Sequence, residues 1–274
     1  MSTAPQTSAS SRPALPPARP YGIIPADLAV DFDHPDRAAL TTRLLARCAA
    51  DESLAFAARE EAAWDLPVST RIARLLRILE LTTDDPALAV ALRCPHANCG
   101  HSFEIALPFA ALAAEAHKDD SAGRIVSFPT GDAAPLAFRL PTGRDLVAWR
   151  RHASNNPSDG LGMIVRSLAA EPAALVELSS EQLTTLAAAM EAADPLVAFT
   201  VETSCPHCQR NATLDVDLEA VALRELGRIR RKILRDVHAL ATRYGWTEAD
   251  VLAIPPRRRA EYRRMIADAD NIFP

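Results

Sequence analysis

Apolar positions along this chain change period several times, and each change marks a new element. Ala38 to Ala63 is rich in Ala, Leu, Arg and Glu, with Leu40, Leu44, Leu45 and Cys48 near one face, and predicts a helix. Ile72, Leu75, Leu76 and Leu79 recur at helical spacing after Pro67 and predict a second one, until Asp84-Asp85-Pro86 breaks the pattern. The period then falls to two. Leu88, Val90 and Leu92 alternate with small or polar residues, Cys94-Pro95-His96-Ala97-Asn98-Cys99 follows, and Phe103, Ile105 and Leu107 alternate again. About a hundred residues later the order recurs: Val197, Phe199 and Val201, then Cys205-Pro206-His207-Cys208, then Leu214, Val216 and Leu218. Both units predict a hairpin tipped by a cysteine pair, and together they form an internal pseudo-repeat.

Between the repeats, residues 111 to 134 predict a short helix and a polar loop, and Ala137 to Leu140 a strand. Thr142 with Asp145 resembles a capping box opening a helix through Trp149. Asn155 to Gly160 has loop composition. Helices are expected around Leu161 to Ala170 and after Ser179, which has Gln182 three residues on. Beyond the second repeat, Ala222, Leu226, Ile229, Ile233, Val237, Leu240 and Tyr244 make one apolar stripe at spacings of three and four, ended by Gly245. Thr247 with Asp250 makes another capping box, with Trp246 and Val251 at staple positions. A last basic helix follows Ile254-Pro255-Pro256.

Composition narrows the reading. Charged residues at 24% and hydrophobic residues at 49% describe an ordinary globular chain, and 274 residues can bury a sizeable core. Aromatics reach only 5%, so the core rests on Leu, Ile, Val and Ala, which favours helices. No apolar run approaches the roughly 18 to 20 residues of a spanning helix, so a membrane role is not expected. Met1 to Pro20 holds five Pro and no apolar core of a signal peptide, and predicts a disordered leader; the cytoplasm is the expected compartment. The net charge of −5 hides an asymmetry. Arg224 to Arg264 carries 12 Lys or Arg against 5 Asp or Glu, a balance of +7, so the remainder sums to −12. Arg224, Arg228, Arg231 and Arg235 lie opposite the apolar stripe and suit an acidic protein partner. Nucleic acid is the poorer reading, because no stacking aromatics interleave with these arginines.

Five cysteines without an export signal point to thiols or metal rather than disulfides. Cys94, Cys99, Cys205 and Cys208, at two hairpin tips, can complete a tetrahedral zinc site, whereas Cys48 suits a small core position. The long separation between the pairs is no obstacle. Lengthening a loop from about 20 to about 105 residues costs on the order of 1.5 kcal/mol, against roughly 10 to 16 kcal/mol of apparent binding energy in a structural zinc site. His96, His101 and His207 are substitute ligands. Two other readings stand beside this one: a zinc-ribbon module binding nucleic acid or a transcription partner, and, more remotely, a dithiol oxidoreductase built on Cys205-Pro206-His207-Cys208. The latter needs its first Cys at a helix N-terminus, and the residues that follow alternate like a strand. Phosphate loops, dinucleotide fingerprints, HExxH patterns and nucleophile elbows are absent from the sequence, so nothing positive points to an enzyme.

Three stretches near the C-terminus carry a resemblance: Asp236 to Ala241, Tyr244 to Leu252, and Arg258 to Tyr262. They are similar to the C-terminal signature of small baseplate proteins of contractile-tailed phages and related injection systems. Upstream, Leu66-Pro67-Val68, the first Cys-Pro knuckle, the Phe138 to Leu146 segment and Ala193-Asp194-Pro195 before the second knuckle follow the same order. The chain thus resembles the T-even phage baseplate hub assembly chaperone family from about Trp64 to Ile266, with four residues inside the first knuckle where two are the rule. The resemblance implies a non-enzymatic chaperone or structural adaptor whose partners are baseplate or hub proteins, cytoplasmic or associated with a phage-like particle. Trp246, Arg258, Arg259 and Tyr262 are the residues chosen for partner contact.

The combined expectation is a mainly helical α+β protein. It comprises a leader (1–21), an N-terminal helical region (22–87), a first cysteine hairpin (88–110) and a mostly helical insert (111–196). A second cysteine hairpin (197–218) and a basic helical arm (219–274) complete it, with the two hairpins meeting as a split zinc ribbon.

Overall fold

The computed structural model describes residues 14–51, 53–117, 125–130, 133–155, 160–172 and 178–272. Helices dominate it, and its strands form three separate antiparallel pairs. In chain order the elements are α1 (Pro25–Leu28), α2 (Arg37–Arg47), α3 (Phe56–Trp64), α4 (Val68–Thr82), β1 (Ala87–Arg93), β2 (Ser102–Pro108) and α5 (Phe109–His117). The insert adds β3 (Ile125–Thr130), β4 (Ala133–Arg139), α6 (Gly143–Asn155), α7 (Gly160–Leu168) and α8 (Ser180–Ala193). β5 (Thr200–Ser204), β6 (Asn211–Asp215), α9 (Leu218–Tyr244), α10 (Glu248–Ala253) and α11 (Pro256–Ile272) follow.

Two hydrophobic cores sort these elements. The larger packs Leu44 of α2, Ala63 of α3, Leu75 and Leu79 of α4, and Leu226 of α9, all fully buried, around Leu88 and Val90 of β1. Each such leucine contributes roughly 1.5–3 kcal/mol by leaving water. A smaller core belongs to the insert alone: Phe128 and Phe138 from its hairpin close on Val165, Leu168 and Leu186 from α7 and α8. The apolar stripe of α9 faces inward as its spacing requires, with Ala222, Leu226, Ile233 and Leu240 buried, while Arg224, Arg228, Arg231 and Arg235 are all exposed.

Several expectations need correction. The helix expected over Ala38 to Ala63 is two helices. Between them Ala49 pairs with Ala18 through Arg19 N–H to Cys48 O (2.7 Å) and Ala50 N–H to Pro17 O (2.7 Å), and Asp51 accepts from the Ser53 amide at 2.8 Å. An Asx turn therefore wins over continuous helix propensity. The same pairing shortens the leader. Leu15 and Tyr21 are buried and Arg19 forms a two-bond ion pair with the fully buried Asp27 (both 2.8 Å), while residues 1–13 of the expected leader lie outside the described residues. A strand, β3, occupies 125–130, where loop was expected, paired with β4 from Ile125 opposite Arg139. Val197 sits in a turn and is exposed, so β5 begins only at Thr200. The α6 helix runs past Trp149 to Asn155. Residues 156–159 of the loop expected there are outside the described set.

Arg71 is the polar centre of the N-terminal bundle. Its side chain is fully buried, donating to Ala63 O at the end of α3 (2.6 Å), to Ala38 O (2.7 Å) and to Thr42 Oγ1 (3.0 Å) of α2. Orphan carbonyls at a helix C-terminus carry partial negative charge and suit a cation. Among the described residues no carboxylate is hydrogen-bonded to it, and burial pushes its pKa down to about 10. Gly143, the first residue of α6, packs directly on this guanidinium. The contact is set up by Val68 N–H to Pro141 O (2.9 Å) and Gly143 N–H to Leu66 O (3.3 Å), which join the Leu66–Val68 and Phe138–Leu146 segments.

A β-carbon at Gly143 would stand 2.4 Å from Arg71 Nη1 and 2.7 Å from its Cζ. Gly143→Ala is therefore expected to lower unfolding stability by about 1–3 kcal/mol. Gly160→Ala, at the start of α7 and with nothing within 4 Å of its Cβ, is expected to change stability by less than about 0.5 kcal/mol. Urea unfolding of the two variants checks this; a Gly143→Ala midpoint equal to wild type would refute the close packing.

Candidate metal centre

Each cysteine pair sits where two strands turn. In the first hairpin Leu88, Val90 and Leu92 face Leu107, Ile105 and Phe103 across the ladder, so its inner face is apolar and fixes the register. In the second, Val201 and Thr203 face Leu214 and Ala212, and Val216 N–H to Phe199 O (2.9 Å) extends the ladder beyond the strands. The tips then close alike. Cys94 N–H donates to His101 O (2.9 Å), and Cys205 N–H donates to Arg210 O (3.0 Å).

Aligned on their second cysteines, the knuckles match residue for residue. Gly100 follows Cys99 with φ +61°, and Gln209 follows Cys208 with φ +59°. Left-handed backbone suits glycine and is uncommon for glutamine. The two extra residues of the first knuckle therefore lie between its cysteines, in a turn where Cys99 and Gly100 both donate to His96 O (2.9 and 3.2 Å).

The hairpins meet tip to tip. Cys94, Cys99, Cys205 and Cys208 place their sulfurs within 4.8 Å of one another, a grouping that could hold a metal ion. Across the junction Cys94 Sγ lies 3.7 Å from Cys208 Sγ, and Cys99 Sγ 3.8 Å from Cys205 Sγ. A disulfide would bring sulfurs to about 2.05 Å. A tetrahedron with metal–sulfur bonds of about 2.3 Å has edges of about 3.8 Å. The two separations across the junction match such an edge rather than a disulfide. Both contacts cross between hairpins, so an ion here would join segments 106 and 114 residues apart in the chain.

The surroundings are polar and asymmetric. The His101 and His207 rings stack across the junction at 4.3 Å with 17° between planes, and His101 Nδ1 lies 3.5 Å from Cys99 Sγ. His96 Nε2 lies 3.3 Å from Asn211 O of the other hairpin. None of the three belongs to the metal-capable group among the described residues. The Arg210 backbone N–H holds the Cys208 thiol down to about 6, whereas burial, aided by the neighbouring thiols, pushes Cys94 up to about 11. Cys48 stands apart at the end of α2, fully buried, with burial pushing it up to about 12.

Of the residues chosen for partner contact, Trp246 and Tyr262 meet one another and Tyr244. Tyr244, Trp246 and Tyr262 form a triad with centroids 4.7, 5.9 and 5.2 Å apart; Tyr244 is exposed, and Trp246 and Tyr262 are half-buried. Arg258 is exposed, but Arg259 is only 5% exposed, so an open surface contact is not its role. Beside it the buried Asp236 takes Arg263 at 2.7 Å. Sequence reasoning overlooked Arg71, whose only signal was a cation on the apolar side of an amphipathic helix, and Tyr21, hidden inside a proline-rich leader. Comparison with known proteins yields nothing further: no family model matches the chain, and no curated protein or solved structure matches it either.

In protein stripped of metal by a chelator, Cys208 is expected to be the first thiol alkylated. Its rate should rise through a midpoint near pH 6, because the thiolate is the nucleophile and exists above the pKa. Cys48 should stay unmodified until the protein unfolds. Mass-spectrometric mapping after iodoacetamide pulses across pH checks the order; Cys48 reacting at the rate of Cys208 would contradict it.

Proposed function

We propose that this chain is a non-enzymatic assembly chaperone or structural adaptor of a contractile-tail baseplate hub, stapled by one structural zinc ion. The observation that carries the reading is the folding together of the segments that resemble the baseplate family. Tyr244, Trp246 and Tyr262, drawn from all but the first of the three C-terminal stretches, build one aromatic surface. The first stretch contributes Asp236, which anchors α11 through Arg263. Upstream, Leu66–Val68 and the Phe138–Leu146 segment pair with one another around Arg71.

Zinc is the ion that four thiolates in tetrahedral array select: they are soft ligands, and the ion has no geometric preference of its own. Four sulfurs leave no coordination position for water or substrate, which is the signature of a structural site. The second knuckle lies in a hairpin turn followed by a strand, not at the helix N-terminus that activates a redox cysteine. The half-exposed aromatic triad on a basic arm supports a protein partner rather than a reaction.

Metal analysis of the purified chain is expected to find about one zinc per molecule, and Cys205→Ser to lose it together with stability on the order of several kcal/mol. Affinity purification from the cells that make the protein is expected to recover baseplate or hub components. Trp246→Ala/Tyr262→Ala should lose them while retaining zinc. Recovery of no tail component by the wild-type chain would overturn the assembly role.

A further inference from the structure

A cleft of about 1200 Å³ runs between the 20–23 segment, the end of α4, the middle of α9 and the start of α11. Its floor is apolar, with Ile229, Ile233, Leu252 and Ile254 among its lining, and its walls are cationic. Seven Lys or Arg line it against three Asp, a balance of +4. Two of the aspartates are already taken: Asp84 by Arg257 at 3.2 Å and Asp236 by Arg263 at 2.7 Å. Lys232, Arg235 and Arg264 line the cleft with no side-chain partner among the described residues.

Arg259 is the decisive group. It is 5% exposed, yet its Nε and Nη1 have no hydrogen-bond acceptor, and nearby Asp236 is engaged by Arg263. The Tyr21 hydroxyl, on a side chain 2% exposed that also lines the cleft, is likewise without a partner among the described residues. A buried cation left unpaired is among the most expensive arrangements a fold can hold. Arg259 is thus a buried, cleft-lining cation in want of an acceptor.

We infer that this cleft receives an acidic, apolar-flanked segment of a protein partner, with a carboxylate of that segment accepting from Arg259. The inference rests on the adaptor reading above and specifies where the partner enters. A carboxylate forms charge-assisted hydrogen bonds with a guanidinium and gains strength from the low dielectric there. Arg259 reaches it by rotating its terminal torsions. Lys232, Arg235 and Arg264 steer the approach, and the floor takes neighbouring apolar side chains. The volume exceeds the roughly 300–1000 Å³ of most small-molecule sites and suits a peptide. The aspartates on the lining oppose a closely spaced phosphate backbone, and the cleft presents no exposed aromatic to stack a base.

The test uses the full chain and a fluorescein-labelled amphipathic Glu/Leu peptide, read by fluorescence anisotropy, with a Lys/Leu peptide and a single-stranded oligonucleotide as competitors. The Glu/Leu peptide is expected to bind, to weaken with salt, and to be displaced by neither competitor. Arg259→Met should lose about tenfold or more in affinity while its thermal midpoint stays level or rises, because an unsatisfied buried cation has been removed. A merely structural arginine would lower that midpoint instead. Lys232→Glu/Arg264→Glu should also lose binding, and Arg43→Glu, an exposed cation of α2 outside the cleft, should keep it. No peptide binding, displacement by the oligonucleotide, or full affinity in Arg259→Met would each overturn the assignment. Tail components still recovered by Arg259→Met and Lys232→Glu/Arg264→Glu would refute the cleft while leaving the assembly role standing. Absence of tail components from the wild-type chain would refute the role itself.

Discussion

Four sulfur atoms decide how this chain is closed. The two hairpins share no ladder hydrogen bonds, and a lone two-stranded hairpin is marginal in water. Across the tips run the sulfur contacts at 3.7 and 3.8 Å, each spanning more than a hundred residues of sequence, beside the stacked rings of His101 and His207 and the contact of His96 Nε2 with Asn211 O. Loop-closure entropy grows only logarithmically with length, so a metal-binding energy sized for a compact ribbon also closes one opened by a large insert. The insert can be large because it keeps its own core of Phe128, Phe138, Val165, Leu168 and Leu186 and asks little of the ribbon. On the other side, Leu88, Val90, Val216 and Leu218 bury the hairpin bases into the main core, so the tips are presented from a rigid platform.

A second constraint fixes the insert to the body. Arg71 is a buried cation whose two terminal nitrogens donate to carbonyl oxygens and a hydroxyl of α2 and α3. That arrangement needs acceptors from several elements at once, which makes it a specificity device as much as a stabilising one. Gly143 lies against it because nothing larger fits. Arg139 and Asp145, paired through two bonds of 2.7 and 2.8 Å, hold the same corner from outside. Leu66–Val68 and the Phe138–Leu146 segment meet at this joint, so their residues carry architecture.

Much of this was legible in the sequence where one local signal dominated. The knuckle repeat, the stripe of α9 and the capping boxes at Ser179 and Thr247 are written in short-range patterns, and both boxes form with both of their bonds. The four-cysteine cluster was legible because cysteine pairs at hairpin tips have few other uses. What escaped depends on partners distant in the chain. Ala49 leaves the helix because Ala18 pairs with it, and nothing near Ala49 announces Ala18. Leu15 and Tyr21 look like leader until the groove that buries them exists. Arg259 lies among exposed arginines in sequence, and only the crossing of α11 over α9 turns it inward.

The ribbon and the arm meet through α9. That helix starts at the end of the second hairpin with Asp217 capping it (2.9 Å to the Ala220 amide) and runs 27 residues to the aromatic triad. At about 1.5 Å rise per residue it spans about 40 Å, so the base of the second hairpin and the aromatic triad stand at opposite ends of one helix. The account therefore stands on the metal centre as a structural staple. X-ray absorption at the zinc edge of the purified protein tests it most directly: four sulfur neighbours at about 2.3 Å and no nitrogen or oxygen shell are the predicted result. A shell containing His101 or His207 nitrogen, or the absence of zinc from folded protein, would contradict it.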